Sequence, residues 1–214
     1  MNFTRSFFPR PALVLGAGVV LWSAGCSMDW LTPKQKVMVD AISAPGAPKP
    51  AGQSYRLLAR RSVVTGQQVQ LPVIKACVDA ALVQQGMYEA PPNVPSDLFI
   101  EVNYGMDTSS RVDPSTRESF LELSARANHS RAIDSKQEEE LWDVRTAITG
   151  LAGRLETAMP LLATVAAKYA ATDTHAETIQ PMADNSPEVN AVRETAVKTL
   201  SAKAPPAPAA APAK

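Results

Sequence analysis

Cysteine and histidine are scarce in this chain of 214 residues, with two of each. A structural zinc site needs four ligands, usually cysteine or histidine, and Cys26, Cys77, His129 and His175 are too few and too scattered to make one. The two histidines have no paired-ligand spacing and read as solvated surface residues. Glycine is also low, ten in all, and Gly16, Gly18 and Gly25 fall within the first 25 residues. Neither G-x-G-x-x-G nor G-K-S/T occurs, which removes the phosphate-cradling loops. The G-x-S-x-G elbow of hydrolases is missing too. Charge of one sign is not in excess: 21 basic residues balance 21 acidic ones. Without a basic patch there is no footprint for nucleic acid. No apolar run approaches the roughly 20 residues of a membrane-spanning helix. The sequence thus offers no catalytic residue, no cofactor site and no metal site.

What is present stands at the start. Arg5 and Arg10 precede an apolar run of about 12 residues, Pro11 to Trp22, and Ser23-Ala24-Gly25-Cys26 follows. This is the layout of a secretory signal ending in a lipoprotein box, in which the Cys26 thiol takes a diacylglycerol and becomes the new N-terminus. The usual Leu three residues before the cysteine is replaced by Ser23. Ordinary signal peptidase would cut at the same bond, leaving a bare thiol. Ser27, not Asp, follows the cysteine, which resembles an outer-membrane address. Several acyl chains hold a protein stably, where one does so only marginally. The expected partners are the membrane, through this N-terminal lipid, and an envelope protein or lipid.

Composition divides the remainder. Residues 1–25 read as signal and 26–52 as a lipidated cysteine with a flexible linker, on the strength of Pro33, Pro45, Pro48 and Pro50. Such a proline-rich stretch would act as a spacer holding the domain off the membrane. Residues 53–200 read as one globular domain, large enough to bury a core without disulfides. Residues 201–214 are a Pro/Ala-rich tail that cannot build a core.

Periodicity within 53–200 predicts an α+β fold. A strand is expected at 54–61 and a helix at 71–85, where Ile74, Cys77, Val78, Ala81 and Leu82 make an apolar stripe and Gly86 stops it. Cys77 on that stripe reads as a buried, inert thiol. A short strand at 87–90 follows. Three alternating strands come next, at 97–106, 119–128 and 139–149. Their core faces carry Leu98, Ile100, Val102 and Tyr104, then Leu121, Leu123, Ala125 and Ala127, then Trp142, Val144, Thr146 and Ile148. One apolar face per strand suggests a mainly antiparallel sheet, covered by helices on one side and wet on the other. A helix from 151 to 171 should kink at Pro160, which lacks the amide to bond Glu156. An edge strand at 174–183 is limited by Pro181. Ser186-Pro187 opens a last helix. The expected architecture is a two-layer sandwich.

Carboxylates are the remaining chemistry. Glu101, Glu122 and Asp143 fall on the wet face and could in principle serve acid–base work. Arg126 and Arg145 fall there as well, and cross-strand pairs of opposite charge are the ordinary furniture of a solvated sheet. These arginines are expected to neutralise the three carboxylates.

The segments SYRLL, IKACVDAALVQQGMYEAPPNVPSDLFIEVNYG, FLELSARAN and EEELWDVRTAITG resemble the bacterial lipoprotein family known as domain of unknown function 4136, a resemblance that spans roughly residues 54 to 185. The matching residues are Ala81, Leu82, Gly86, Tyr88, Asp97, Leu98 and Trp142. The resemblance implies an envelope location and an α+β fold, and brings no catalytic residues. The sequence therefore points to a periplasm-facing outer-membrane lipoprotein with a non-enzymatic binding or scaffolding role. The alternatives are an accessory lipoprotein that binds an acyl chain between helix and sheet, and a weak hydrolase using the wet-face carboxylates. If Cys26 is the anchor, Cys26→Ser abolishes palmitate labelling and moves the protein out of the membrane fraction. A substituted chain that stays in the outer membrane would refute it.

Overall fold

The computed structural model describes residues 33–59, 71–108, 117–131, 139–149 and 155–203. Cys26, the signal segment and residues 204–214 lie outside them. All described residues belong to the compact unit Thr32–Lys214. Its elements in chain order are β1 (Lys34–Ser43), β2 (Ser54–Ala59), α1 (Leu71–Gln84), β3 (Tyr88–Glu89), β4 (Leu98–Thr108), β5 (Arg117–Ala127), β6 (Glu140–Thr149), α2 (Leu155–Lys168), β7 (Thr178–Ala183) and α3 (Pro187–Lys203). The strands form one sheet in the order β3-β2-β4-β5-β6-β1-β7. The fold is α+β, as the periodicity indicates.

The three alternating strands form the expected antiparallel core of the sheet, β4 to β5 to β6. Every core-face residue named above for them is buried. A bulge interrupts the β5–β6 register between Ala125 and Arg126. Strand β2 runs parallel to β4 because α1 lies between them in the chain, and a parallel pair needs such a crossover.

Residues 34–43 overturn the linker expected at 26–52. They form β1, paired antiparallel with β6 on one side and β7 on the other. Val37 and Val39 are fully buried and Ala41 nearly so. The alternation Val37, Val39, Ala41 is a strand pattern, but it sits between prolines that dominate the composition of the window. Only the seven residues 27–33 now separate Cys26 from the first strand.

Helix α1 ends as its sequence demands. Gly86 takes a positive φ of 80°, its N–H donates to Val83 O, and Met87 N–H donates to Leu82 O. These two bonds satisfy carbonyls the helix end would leave orphaned. Helix α2 is buried along almost its whole length, including Pro160. The sheet covers one side, α1 another, and α3 packs chiefly on α1 and α2. Small residues (Ala158, Ala163, Ala166 and Ala167) let these neighbours approach. Thr164 Oγ1 donates to Pro160 O at 2.7 Å within the helix. Ser186 Oγ accepts from Val189 N–H at 3.4 Å at the start of α3, the cap its Ser-Pro pair suggests.

Trp142 is 1% exposed and lies on the same face as Val144 and Ile148. Four residues along β6, Thr146 is fully buried, with Oγ1 3.2 Å from Leu121 O and 3.3 Å from Leu162 O, a polar stitch between sheet and α2. Trp142→Ala is expected to lower stability by about 3–5 kcal/mol in denaturant unfolding. Trp142→Phe should cost much less, since the indole N–H has no partner among the described residues. A cost under about 1 kcal/mol for the alanine would contradict burial of the ring in the core.

Candidate functional site

The face of the sheet away from the helices holds the carboxylates that the sequence singled out. Register places Glu101 opposite Ser124 and Ser124 opposite Asp143. The adjoining row runs Asn103, Glu122, Arg145 and Asp40. The residues do share one face, but the pairing differs from expectation. Arg145 Nη2 donates to Glu118 Oε1 at 3.1 Å. Its guanidinium also lies over the Phe120 ring, 4.5 Å from the centroid, a cation–π contact. Arg126 reaches Glu140 at 3.4 Å, and Ser124 Oγ donates to the same carboxylate at 3.0 Å. Glu122 accepts from Asn103 Nδ2 at 2.8 Å. The acid partners thus include Glu118 and Glu140, which the sequence reading did not select.

This face is not uniformly wet. A row of apolar or small residues crosses five strands in register: Ile179, Met38, Ala147, Phe120 and Gly105. Ile179 and Ile42 are 59% and 63% exposed. Phe99 points the same way yet is fully buried. Arg56, its neighbour on β2, explains how the chain can cover that corner. Arg56 Nη2 lies 3.0, 3.1 and 2.9 Å from the carbonyl oxygens of Pro91, Pro92 and Val94.

Two polar clusters escaped the sequence reading. The first joins the starts of β2 and β4. Ser54 Oγ donates to Asp97 Oδ2 at 2.6 Å, and Ser54 N–H donates to the same oxygen at 3.0 Å. Asp97 N–H donates back to Ser54 Oγ at 2.9 Å. Arg131 Nη1 donates to Asp97 Oδ1 at 3.1 Å, from a residue held at a φ of 51°. Asn128 adds a backbone bond to Asp97 O and a side-chain bond to Ser96 O. The Ser54 hydroxyl and amide, then Arg131, hold the Asp97 carboxyl below its ordinary range.

The second cluster joins β2, α1 and β3. The Tyr55 hydroxyl donates to Asp79 Oδ1 at 3.1 Å. Lys75 Nζ bridges Asp79 at 2.6 Å and Glu89 at 2.7 Å. Burial and the Asp79 carboxylate push the Tyr55 phenol well above its usual value. Burial also raises Asp79, more than Lys75 lowers it. Burial alone would lower Lys75, but its two carboxylate partners outweigh that and raise it. Both clusters join residues distant in sequence. The local signals were Asp97, directly before an alternating strand, and the i,i+4 pair Lys75–Asp79 on α1.

The remaining candidates are quiet. Cys77 is buried, and burial pushes its thiol up to about 11. A thiol so shifted is a poor nucleophile at neutral pH. His129 is exposed, and His175 sits beside Asp173 on the surface. Among the described residues no group of three His, Cys, Asp or Glu side chains could hold a metal ion. Nor is any described helix long and apolar enough to cross a membrane.

No family model matches the chain, and no curated protein matches it. Several solved structures are partly similar. The PelC dodecamer from Paraburkholderia phytofirmans matches at 9% identity and a TM-score of 0.41, over 64% of this chain and 99% of that one. A PDZ domain protein from Parabacteroides distasonis matches at 11% identity and a TM-score of 0.43, over 69% of this chain and 39% of that one. A candidate lipoprotein from Caulobacter crescentus matches at 13% identity and a TM-score of 0.23, over 71% of this chain and 93% of that one. These are partial likenesses of architecture, and no property of those proteins transfers on them.

The Asp97 cluster makes a pH prediction. A carboxyl whose folded pKa lies below its unfolded value of about 3.9 stabilises the fold above that pH, and the contribution fades as pH falls through the folded pKa. Asp79, raised in the fold, acts in the opposite sense: its ionisation weakens the fold, and acidification relieves that. Asp97→Ala should therefore cost about 2 kcal/mol at neutral pH, for the lost charge-assisted bonds. The gap to the unsubstituted protein should narrow in strong acid. Denaturant unfolding at the two pH values reads this directly, and a gap that widens in acid would contradict the assignment.

Proposed function

We propose that the protein is a lipoprotein of the outer membrane, held at its periplasmic face by acyl chains on Cys26. Its α+β domain is a non-enzymatic binding or scaffolding module for another component of the cell envelope. The observation that carries the binding reading is the sheet face turned away from the helices, with its charge pairs and exposed isoleucines. Its carboxylates are engaged by neighbours, Glu118 by Arg145, Glu140 by Arg126 and Ser124, and Glu122 by Asn103. Carboxylates held in such pairs furnish a binding surface more readily than a reacting centre. Beside these pairs lie the exposed apolar side chains Ile42 and Ile179, the mixture that suits a moderately polar protein contact.

The likeness to domain of unknown function 4136 is proposed on the same footing. The residues that carry it have structural tasks: Leu82 and Gly86 close α1, Asp97 ties β2 to β4, and Trp142 fills the core. A likeness built on such residues supports a shared fold, not a shared chemistry.

Photo-crosslinking in intact cells tests the binding reading. A photoreactive residue placed at Ile42, Phe120 or Ile179 should give a discrete adduct with an envelope protein. The same group at Val83 or Val197, exposed on the helices, should not. Equal labelling from both sets, or no adduct from the open face, would count against it.

A further inference from the structure

The position of β1 fixes how far the domain can stand from the membrane. Cys26 and Lys34 are eight residue steps apart, and a fully extended chain of that length reaches at most about 28 Å. Strand β1 is itself about 30 Å long at 3.3 Å per residue, so the tether is no longer than one strand of the sheet. It contains Met28, Trp30 and Leu31, residue types that favour a membrane interface. The strand cannot peel away to lengthen it. Val37, Val39 and Ala41 are buried, and β1 is paired along both edges.

Register shows what lies at the tethered end. Lys34 pairs with Ala183 at the end of β7, and Val37 with Ile148 near the end of β6. Glu118, next to Arg117, pairs with Thr149. Lys34, Lys36, Arg117 and Thr149 are exposed there, with Asp107 as an exposed acid close by on β4. Among the described residues Asp184, Glu118 and Glu156 also stand near this end, so its charges are mixed and it is the short tether that selects the membrane-facing end. The opposite end of β5, ten steps away and about 33 Å distant, carries Ala127 and leads to the Asp97 cluster.

We propose that the end of the sheet bearing Lys34, Lys36, Arg117 and Thr149 lies against the leaflet that holds Cys26. The end bearing Asn128, Arg131 and Asp97 faces the aqueous space. This rests on lipidation of Cys26, as read above. It replaces a long proline-rich spacer with a short tether that orients the domain. The surface available to other envelope components is then the open face and the Asp97 end.

The mature lipidated protein, reconstituted into phosphatidylethanolamine–phosphatidylglycerol vesicles, tests this. Single cysteines at Arg117 or Thr149 on the tethered side, and at Lys49 or His129 on the far side, receive an environment-insensitive fluorophore. All four positions are exposed, and Cys77 is buried and stays unlabelled. Melting curves check that each variant is folded. Nitroxide-headgroup lipids should remove most of the emission at Arg117→Cys and Thr149→Cys and little at Lys49→Cys and His129→Cys. Equal quenching at the four sites, or stronger quenching on the far side, overturns the orientation while leaving the anchor intact. Mass spectrometry of the same material reads the acyl group on Cys26. A chain without it overturns both the anchor and the orientation.

Discussion

The sheet depends on one insertion, the placing of β1 between β6 and β7. Ten residues from near the start of the chain pair on both sides with strands from its second half. Without β1, β6 would become an edge and β7 would have nothing to pair with. The loop before β7 reinforces the arrangement. Thr174 N–H donates to Ala41 O at 2.9 Å, and Ala41 N–H donates to Thr174 Oγ1 at 3.1 Å. Above the sheet, α2 can be buried on nearly every side only because this wide surface lies beneath it and α1 and α3 complete the enclosure.

Polar groups in this fold serve mainly as joints. Thr146 stitches sheet to helix, Ser54 and Asp97 lock two strand starts, and the Tyr55–Asp79–Lys75–Glu89 chain fastens β2 and β3 to α1. Buried or half-buried polar atoms are costly unless paired, and these pairings satisfy them while fixing register. Their pKa shifts follow from that structural use: Asp97 falls because donors surround it, and Asp79 rises because burial outweighs its one cation. Strongly shifted groups can mark chemistry, but ion-pair networks of this kind shift them too.

Much of the fold was legible wherever a periodic pattern ran unbroken. The faces of β4, β5 and β6, the stripe of α1 with its Gly86 stop, and the Ser-Pro start of α3 could all be read locally. Strand β1 could not, because four prolines around it outweighed three alternating apolar residues. The open-face pairing was read only in part. Arg145 sits opposite Glu122 in register yet bonds Glu118, and that choice depends on side-chain reach and on the Phe120 ring. The Asp97 joint links positions 43 residues apart. No local pattern encodes such a bond, because only the assembled sheet brings its partners together.

The central placing of an N-terminal strand also orders events in time. The segment that becomes β1 is made early in synthesis, yet its two partners, β6 and β7, are among the last elements to follow. Non-local pairings of this kind are slow, since a long loop must close before any bond rewards it. Until then β6 is left as an unpaired edge, and such edges are prone to aggregate. A deletion of β7 alone would leave β1 paired on one side only and turn it into the edge of the sheet.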